Sequence, residues 1–163
     1  LQAVNLCDEN TNPHLIANIY ANTGGLYHAS GDVFKAKEFM EKAYYILTEN
    51  NLQYTADSIA QICNYANLAA NLSEPEKAIT ALKKCVEYTE ENSGIYAELL
   101  WNTGIMYLQM NDKANAVPHL KKALNIYAEI YEDEPELTQR KIYELQDAVS
   151  SYGINAQNLI SEN

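Results

Sequence analysis

The sequence predicts an all-α solenoid of stacked antiparallel helix hairpins, and three recurrences carry that prediction. The run Tyr20-Ala-Asn-Thr-Gly24-x-x-Tyr27, with small residues at Ala36 and Ala43, returns as Ile62-Cys-Asn-Tyr-Ala66-x-x-Ala69 with Ala78 and Cys85. It returns again as Leu100-Trp-Asn-Thr-Gly104-x-x-Tyr107 with Ala116 and Ala123. The period is 42 residues and then 38, a length at which self-similarity marks stacked units, each unable to bury its apolar face alone. One polar residue repeats with the pattern, at Asn22, Asn64 and Asn102.

Each unit resolves into two helices. In the first, Tyr20, Gly24 and Tyr27, or Leu100, Gly104 and Tyr107, fall at i, i+4 and i+7, the spacing of one helical face. A second face follows after a short break, through Ala36, Met40, Ala43 and Leu47, then Ala78, Leu82 and Cys85, then Ala116, Leu120, Ala123 and Tyr127. The breaks Gly31-Asp32, Ser73-Glu-Pro75-Glu76 and Asn111-Asp112 supply turn formers and N-caps, and Ser73 with Glu76 has capping-box spacing. Small residues at Gly24/Ala66/Gly104 and Ala36/Ala78/Ala116 let the paired helices approach closely. Cys85, standing where Ala43 and Ala123 stand, reads as a buried small hydrophobe.

The joint pattern of bulky residue, small residue, Tyr, and then Ala, large apolar residue and Ala resembles the tetratricopeptide repeat. The resemblance covers nearly the whole chain and implies a right-handed α-α superhelix. A spacing near 40 and the recurrent Asn are similar to the repeats of kinesin light chains. Departures are Ala69 in place of Tyr, Thr23 and Thr103 in place of Leu, and second helices that no Pro ends. The organisation expected is the second helix of a truncated preceding repeat at 1–13 and repeats at 14–52, 53–92 and 93–132. A capping helix at 133–152 and a tail at 153–163 complete it.

At the ends, Leu1 to Cys7 reads as a second helix with Ala3 in its small position. Glu134-Pro135-Glu136-Leu137 leads into a fourth helix whose small position is Gln146 and whose Asn position is Glu144. That segment is read as a polar cap of the kind open stacks need, with a further second helix from Gly153 as the alternative. The half-hairpin at the start leads to the expectation of a piece of a longer protein.

Composition bounds the function. Eleven basic against twenty-two acidic residues give a formal charge of -11, unfavourable for nucleic acid or anionic lipid and attractive to a basic peptide or protein face. No stretch approaches the roughly 20 apolar residues of a membrane helix, and the first residues lack a secretory pattern, so a cytoplasmic protein is expected. Cys7, Cys63 and Cys85 have no CxxC spacing, and His14, His28 and His119 have no HxxxH spacing. No metal, cofactor or catalytic residue is expected. A Cys63 thiol with His28 as base lacks any group to orient it.

The candidate site is the other face of the first helices: Asn18, Asn22, Gly25 and Ala29, then Ala60, Asn64, Asn67 and Asn71, then Glu98, Asn102, Ile105 and Gln109. By the resemblance, this face lines the concave groove, and Asn22, Asn64 and Asn102 clamp a peptide backbone there. The chemistry suits the role, because a side-chain amide offers both donor and acceptor to a peptide bond whatever side chain it carries. His28 and Glu98 stand near the ends, Cys63 and Trp101 flank two of the asparagines, and Trp101 is either a partner anchor or a packing residue. The expected function is a module binding an extended peptide or protein tail. The alternatives are the ligand-sensing part of a larger signalling or transcription regulator, and a structural oligomerisation module.

Overall fold

The computed structural model describes residues 12–52 and 55–159, so the half-hairpin expected at Leu1 to Cys7 and the end of the tail lie outside it. Seven α-helices make up the described chain: α1 Pro13–Ala29, α2 Val33–Glu49, α3 Ala56–Asn71, α4 Pro75–Val86, α5 Gly94–Gln109, α6 Lys113–Ile130 and α7 Pro135–Val149. Two 3-10 turns follow, at Ser150–Tyr152 and Ala156–Leu159. Among the described residues there is no strand.

Local chemistry sets the boundaries. Asp32 Oδ1 accepts from Lys35 N at 3.1 Å, and Asp112 Oδ1 accepts from Asn115 N at 3.1 Å, capping α2 and α6. Asn12, Thr55 and Ser93 cap α1, α3 and α5 in the same way. Within the hairpins, one repeat position turns left-handed each time: Gly31 at φ 86°, Ser73 at 65° and Asn111 at 58°. The next residue's N–H then reaches back five residues, Asp32 to Tyr27 O at 3.0 Å, Glu74 to Ala69 O at 2.9 Å and Asp112 to Tyr107 O at 2.8 Å. This closes the last turn of each first helix.

That requirement overturns the capping box expected from Ser73 to Glu76. Ser73 is taken up by the left-handed turn, the N-cap falls on Glu74, and no side chain caps α4. The Glu74 carboxylate instead accepts from Lys37 at 2.6 Å and pairs with Lys77 at 3.0 Å, tying α4 to α2.

The chain divides into two compact units, Leu1–Tyr88 and Thr89–Asn163. In the first, α1 packs on α2, α2 on α3 and α3 on α4. Its interior is built from Ala17, Ala36, Ala43, Leu47, Ile62, Ala66, Ala78 and Leu82, all essentially sealed from solvent. Gly24 is small because it must be: a Cβ there would lie 2.7 Å from Met40 Cγ and 3.0 Å from the Ala36 carbonyl oxygen. Cys85 is fully buried as expected, and burial pushes its thiol up to about 12. Tyr27 stacks on Phe39 with ring centroids 5.4 Å apart, so this repeat tyrosine serves packing.

In the second unit α5 packs on α6, and α7 lies against both. Gly104 repeats the close approach of Gly24, since its Cβ would fall 2.6 Å from Leu120 Cγ. Leu108, Leu120, Leu124, Ile142, Leu145 and Val149 form the core, joined by Ala156 and Leu159 from the last 3-10 turn. Gln146 stands where the other repeats carry a small residue, and its amide reads the backbone of the returning tail. Its Nε2 donates to Ile154 O at 3.2 Å, and its Oε1 accepts from Ala156 N at 2.8 Å.

Candidate functional site

The first helices differ sharply from the second helices in charge. All eleven lysines and arginines lie on α2, α4, α6 or α7. Helix α1 carries no Asp, Glu, Lys or Arg at all, α3 carries Asp57 alone, and α5 carries Glu98 alone. Side-chain amides take the place of charge on the face expected to meet a ligand.

In the first unit, that face opens a cleft of about 370 Å³ between α1 and α3. Gly25 and His28 contribute from α1, Asn64, Asn67 and Asn71 from α3, and Met40 and Leu68 line it as well. The size falls in the range of pockets that take one or two side chains or a short run of backbone. The three asparagines are exposed, and none makes a side-chain hydrogen bond to the described residues. Their side-chain donors and acceptors are open to solvent. Met40 and Leu68, buried to 9% and 5% exposure, are the lining residues that sequence reasoning missed. Their apolar spacing was visible but pointed equally to the core.

Close helix approach explains the cleft's position. Gly24 faces inward and admits α2, while Gly25, its neighbour, faces outward, and a Cβ there would meet nothing within 4 Å. Gly25 thus stands at the cleft's open end with free space beside it.

The remaining expected residues sit as follows. Asn22 is exposed on α1, one turn before Gly25, outside the cleft lining, and makes no side-chain hydrogen bond to the described residues. Asn18 is engaged within the fold. Its Oδ1 accepts from Gln61 Nε2 at 2.5 Å, its Nδ2 lies 3.4 Å from His14 Nδ1, and His14 Nε2 lies 3.4 Å from Ser58 Oγ. This polar string ties α1 to α3, and only the α1–α3 pairing reveals it.

Glu98, Trp101, Asn102, Ile105 and Gln109 belong to α5 in the second unit. Asn102 is half-buried with its amide unpaired among the described residues. Trp101 packs edge-on to Tyr127 at 6.3 Å, with Lys141 Nζ 5.9 Å over its ring. Both Trp101 and Ile105 lean on the core shared with α7.

No group of three His, Cys, Asp or Glu among the described residues is placed to hold a metal ion. None of the described helices is long and apolar enough to cross a membrane.

Comparison with known proteins places this geometry. The tetratricopeptide repeat family model matches residues 54–129, which run from the start of α3 to the end of α6. A search of curated proteins finds no match. Among solved structures, BtubC (BKLC) from P. vanneervenii superposes with a TM-score of 0.74 at 24% identity, over 94% of this chain and 63% of that one. At that identity the likeness speaks for the fold, and this chain spans about 63% of the length of its structural neighbour. The helical-repeat solenoid expected from the recurrences is the fold found, and residues 54–129 match the tetratricopeptide repeat family.

Proposed function

We propose that the chain is an interaction module that grips an extended, locally uncharged stretch of a partner protein through the side-chain amides of its first helices. Tetratricopeptide repeats mediate protein–protein interaction in general. What favours this finer reading is one observation: the α1–α3 cleft gathers Asn64, Asn67 and Asn71, with no side-chain hydrogen-bond partner among the described residues, over an apolar lining of Met40 and Leu68.

The charge distribution narrows the ligand. The acidity of the whole chain suggests a basic partner, but nearly all of it lies outside the first helices, in the connecting segments and on the second helices and α7. A ligand in the cleft meets no cation and no carboxylate from α1, and Asp57 lies more than a turn before Asn64 on α3. Recognition then rests on backbone amide groups and on apolar side chains short enough to enter the cleft. Asn22 on α1 offers the same chemistry outside the cleft, and Asn102 on α5 offers it within the second unit.

The test is capture of partner from native extract, followed by affinity measurement on the peptide identified, with wild type and the Asn22, Asn64, Asn102 to Ala variant. Each lost bond removes about 0.5 to 1.5 kcal/mol, so the triple variant should bind about 10- to 1000-fold more weakly at equal helicity. Affinity should change little with salt, because exposed charges are the interactions that salt screens. Unchanged capture by the variant, or affinity falling steeply with salt, would move the site to another surface.

A further inference from the structure

A second recurrence runs down the second helices. Lys42, Lys84 and Lys122 occupy one repeat position, each directly before the small residue Ala43, Cys85 or Ala123. Each sets its ammonium group over an aromatic ring. Lys42 Nζ lies 5.0 Å from the centre of Phe39, Lys84 Nζ 5.8 Å from that of Tyr44, and Lys122 Nζ 4.8 Å from that of Tyr96. Two of the three have their charge answered nearby. Lys42 donates to Glu38 Oε1 at 2.6 Å, and Lys122 donates to Tyr96 Oη at 2.8 Å with Glu91 at 4.0 Å.

Lys84 has no carboxylate partner among the described residues. The cause lies one helical turn earlier, where the repeat position that is Glu38 in the first hairpin is Thr80 in the second. A hydroxyl stands where the neighbouring hairpin supplies an anion, and Thr80 Oγ1 already donates to Glu76 O at 2.8 Å.

A cleft of about 350 Å³ opens there, lined by Tyr44, Tyr45, Tyr65, Thr80 and Lys84, with Glu76 and Lys77 also on its wall. It belongs wholly to the first unit and shares no lining residue with the asparagine cleft. Tyr44 stacks on Tyr65 at 5.0 Å, and half-exposed Tyr45 tilts against Tyr44 at 5.3 Å, giving an aromatic wall. Lys77 is taken up by Glu41 at 3.2 Å and Glu74 at 3.0 Å. Glu76 precedes Lys84 by two turns, about 12 Å along the axis, and sits beside Lys77 instead.

We propose that this cleft is a second docking site, taking the single carboxylate of an Asp or Glu side chain, flanked by apolar residues, from a partner protein. The carboxylate takes the place that Glu38 fills in the first hairpin, paired with Lys84 beside the Thr80 methyl group, while the flanking apolar groups lie on the tyrosines. Glu41 and Glu76 close the rest of the site to further negative charge, so a single carboxylate fits and a phosphate dianion does not. The reading is independent of the asparagine cleft.

The test is an NMR titration of the chain with acetyl-Gly-Leu-Glu-Leu-Gly-amide, its Gln counterpart and its phosphoserine counterpart. The Glu peptide should give saturable shifts at the Thr80 methyl and the Tyr45 ring. Lys84→Met, which keeps the stem but removes the charge, should weaken binding about tenfold, as expected for loss of one charge-assisted bond. Thr80→Glu restores the internal carboxylate and should block the peptide with helicity intact, so the proposal remains testable if either variant folds poorly. Equal binding of the Glu and Gln peptides would overturn it. So would tighter binding of the phosphoserine peptide, wild-type affinity in both variants, shifts confined to Asn64 and Asn67, or no saturable shift at millimolar peptide.

Discussion

First and second helices of this chain share a repeat but present opposite chemistries. The first helices are nearly free of charge and rich in amides, whereas the second helices with α7 carry every cation in the sequence. Both kinds pack through small residues, so the difference is not in how they fold but in what their outer faces offer. On α1 and α3, adjacent positions do opposite things: Gly24 and Tyr65 are sealed inside, and Gly25 and Asn64 are open to solvent. The repeat thus fixes a packing face and leaves its neighbour free to specialise. Amide chemistry makes one surface whose contacts should ignore salt, and lysine over tyrosine makes another whose contacts should not.

The strongest way to break the packing half of this contrast is at the position where a side chain cannot fit. Gly104→Ala drives a Cβ to within 2.6 Å of Leu120 Cγ and 3.3 Å of the Ala116 carbonyl oxygen, and Leu120 is itself fully buried. Overpacking should exceed the gain in helix propensity and destabilise the chain by about 1 to 3 kcal/mol, read by urea denaturation. An unchanged midpoint would mean that α5 and α6 can separate without loss.

Tyr65 sharpens the contrast through pH. It is 1% exposed and donates to Glu41 Oε1 at 3.0 Å, and burial followed by the Glu41 charge raises its ionisation well above that of a free tyrosine. Because the folded value is the higher one, the stabilising effect is complete below about pH 10, where the unfolded tyrosine is still protonated. Stability then falls as pH rises further, by up to about 1.4 kcal/mol per pH unit from this one group. Tyr44 and Tyr127 are shifted the same way by burial, so Tyr65→Phe should remove only part of the alkaline slope. Denaturant midpoints from pH 9 to 11 would check it, and an identical slope in the variant would assign the loss to the other tyrosines.

The fold was legible where residues recur, because a position repeated three times separates its role from chance. Gly24, Ala66 and Gly104, the Asp32 and Asp112 caps and buried Cys85 all follow from spacing alone. Single-copy features were not. Ser73 carried a cap signal, but the left-handed turn at its repeat position governs it. Gln146 looked like a break in the pattern, and its partners lie in the tail, where no periodicity points. Of the candidate site, the amides of α3 and the neighbours Gly25 and His28 come together in one cleft. Asn18 turns to Gln61 and Trp101 to Tyr127, pairings that depend on which helices meet. The lysine ladder was legible by the same repeat logic, yet a charged residue on a second helix reads as solvated surface until the missing carboxylate at Thr80 is noticed.

The smallest effect separates the two adjacent glycines. A Cβ at Gly24 meets Met40 and the α2 backbone, whereas at Gly25 it meets open space. Gly25→Ala should therefore stabilise the chain by about 0.5 to 1 kcal/mol, since alanine gives up less backbone freedom in mid-helix than glycine. The same variant tests why glycine stands there. If a ligand backbone passes close over α1, the added methyl group will weaken binding of the captured peptide while thermal stability rises, and glycine is kept for approach. If stability rises and affinity holds, the cleft's width at α1 is set by helix spacing alone, and its selectivity rests on the asparagines of α3.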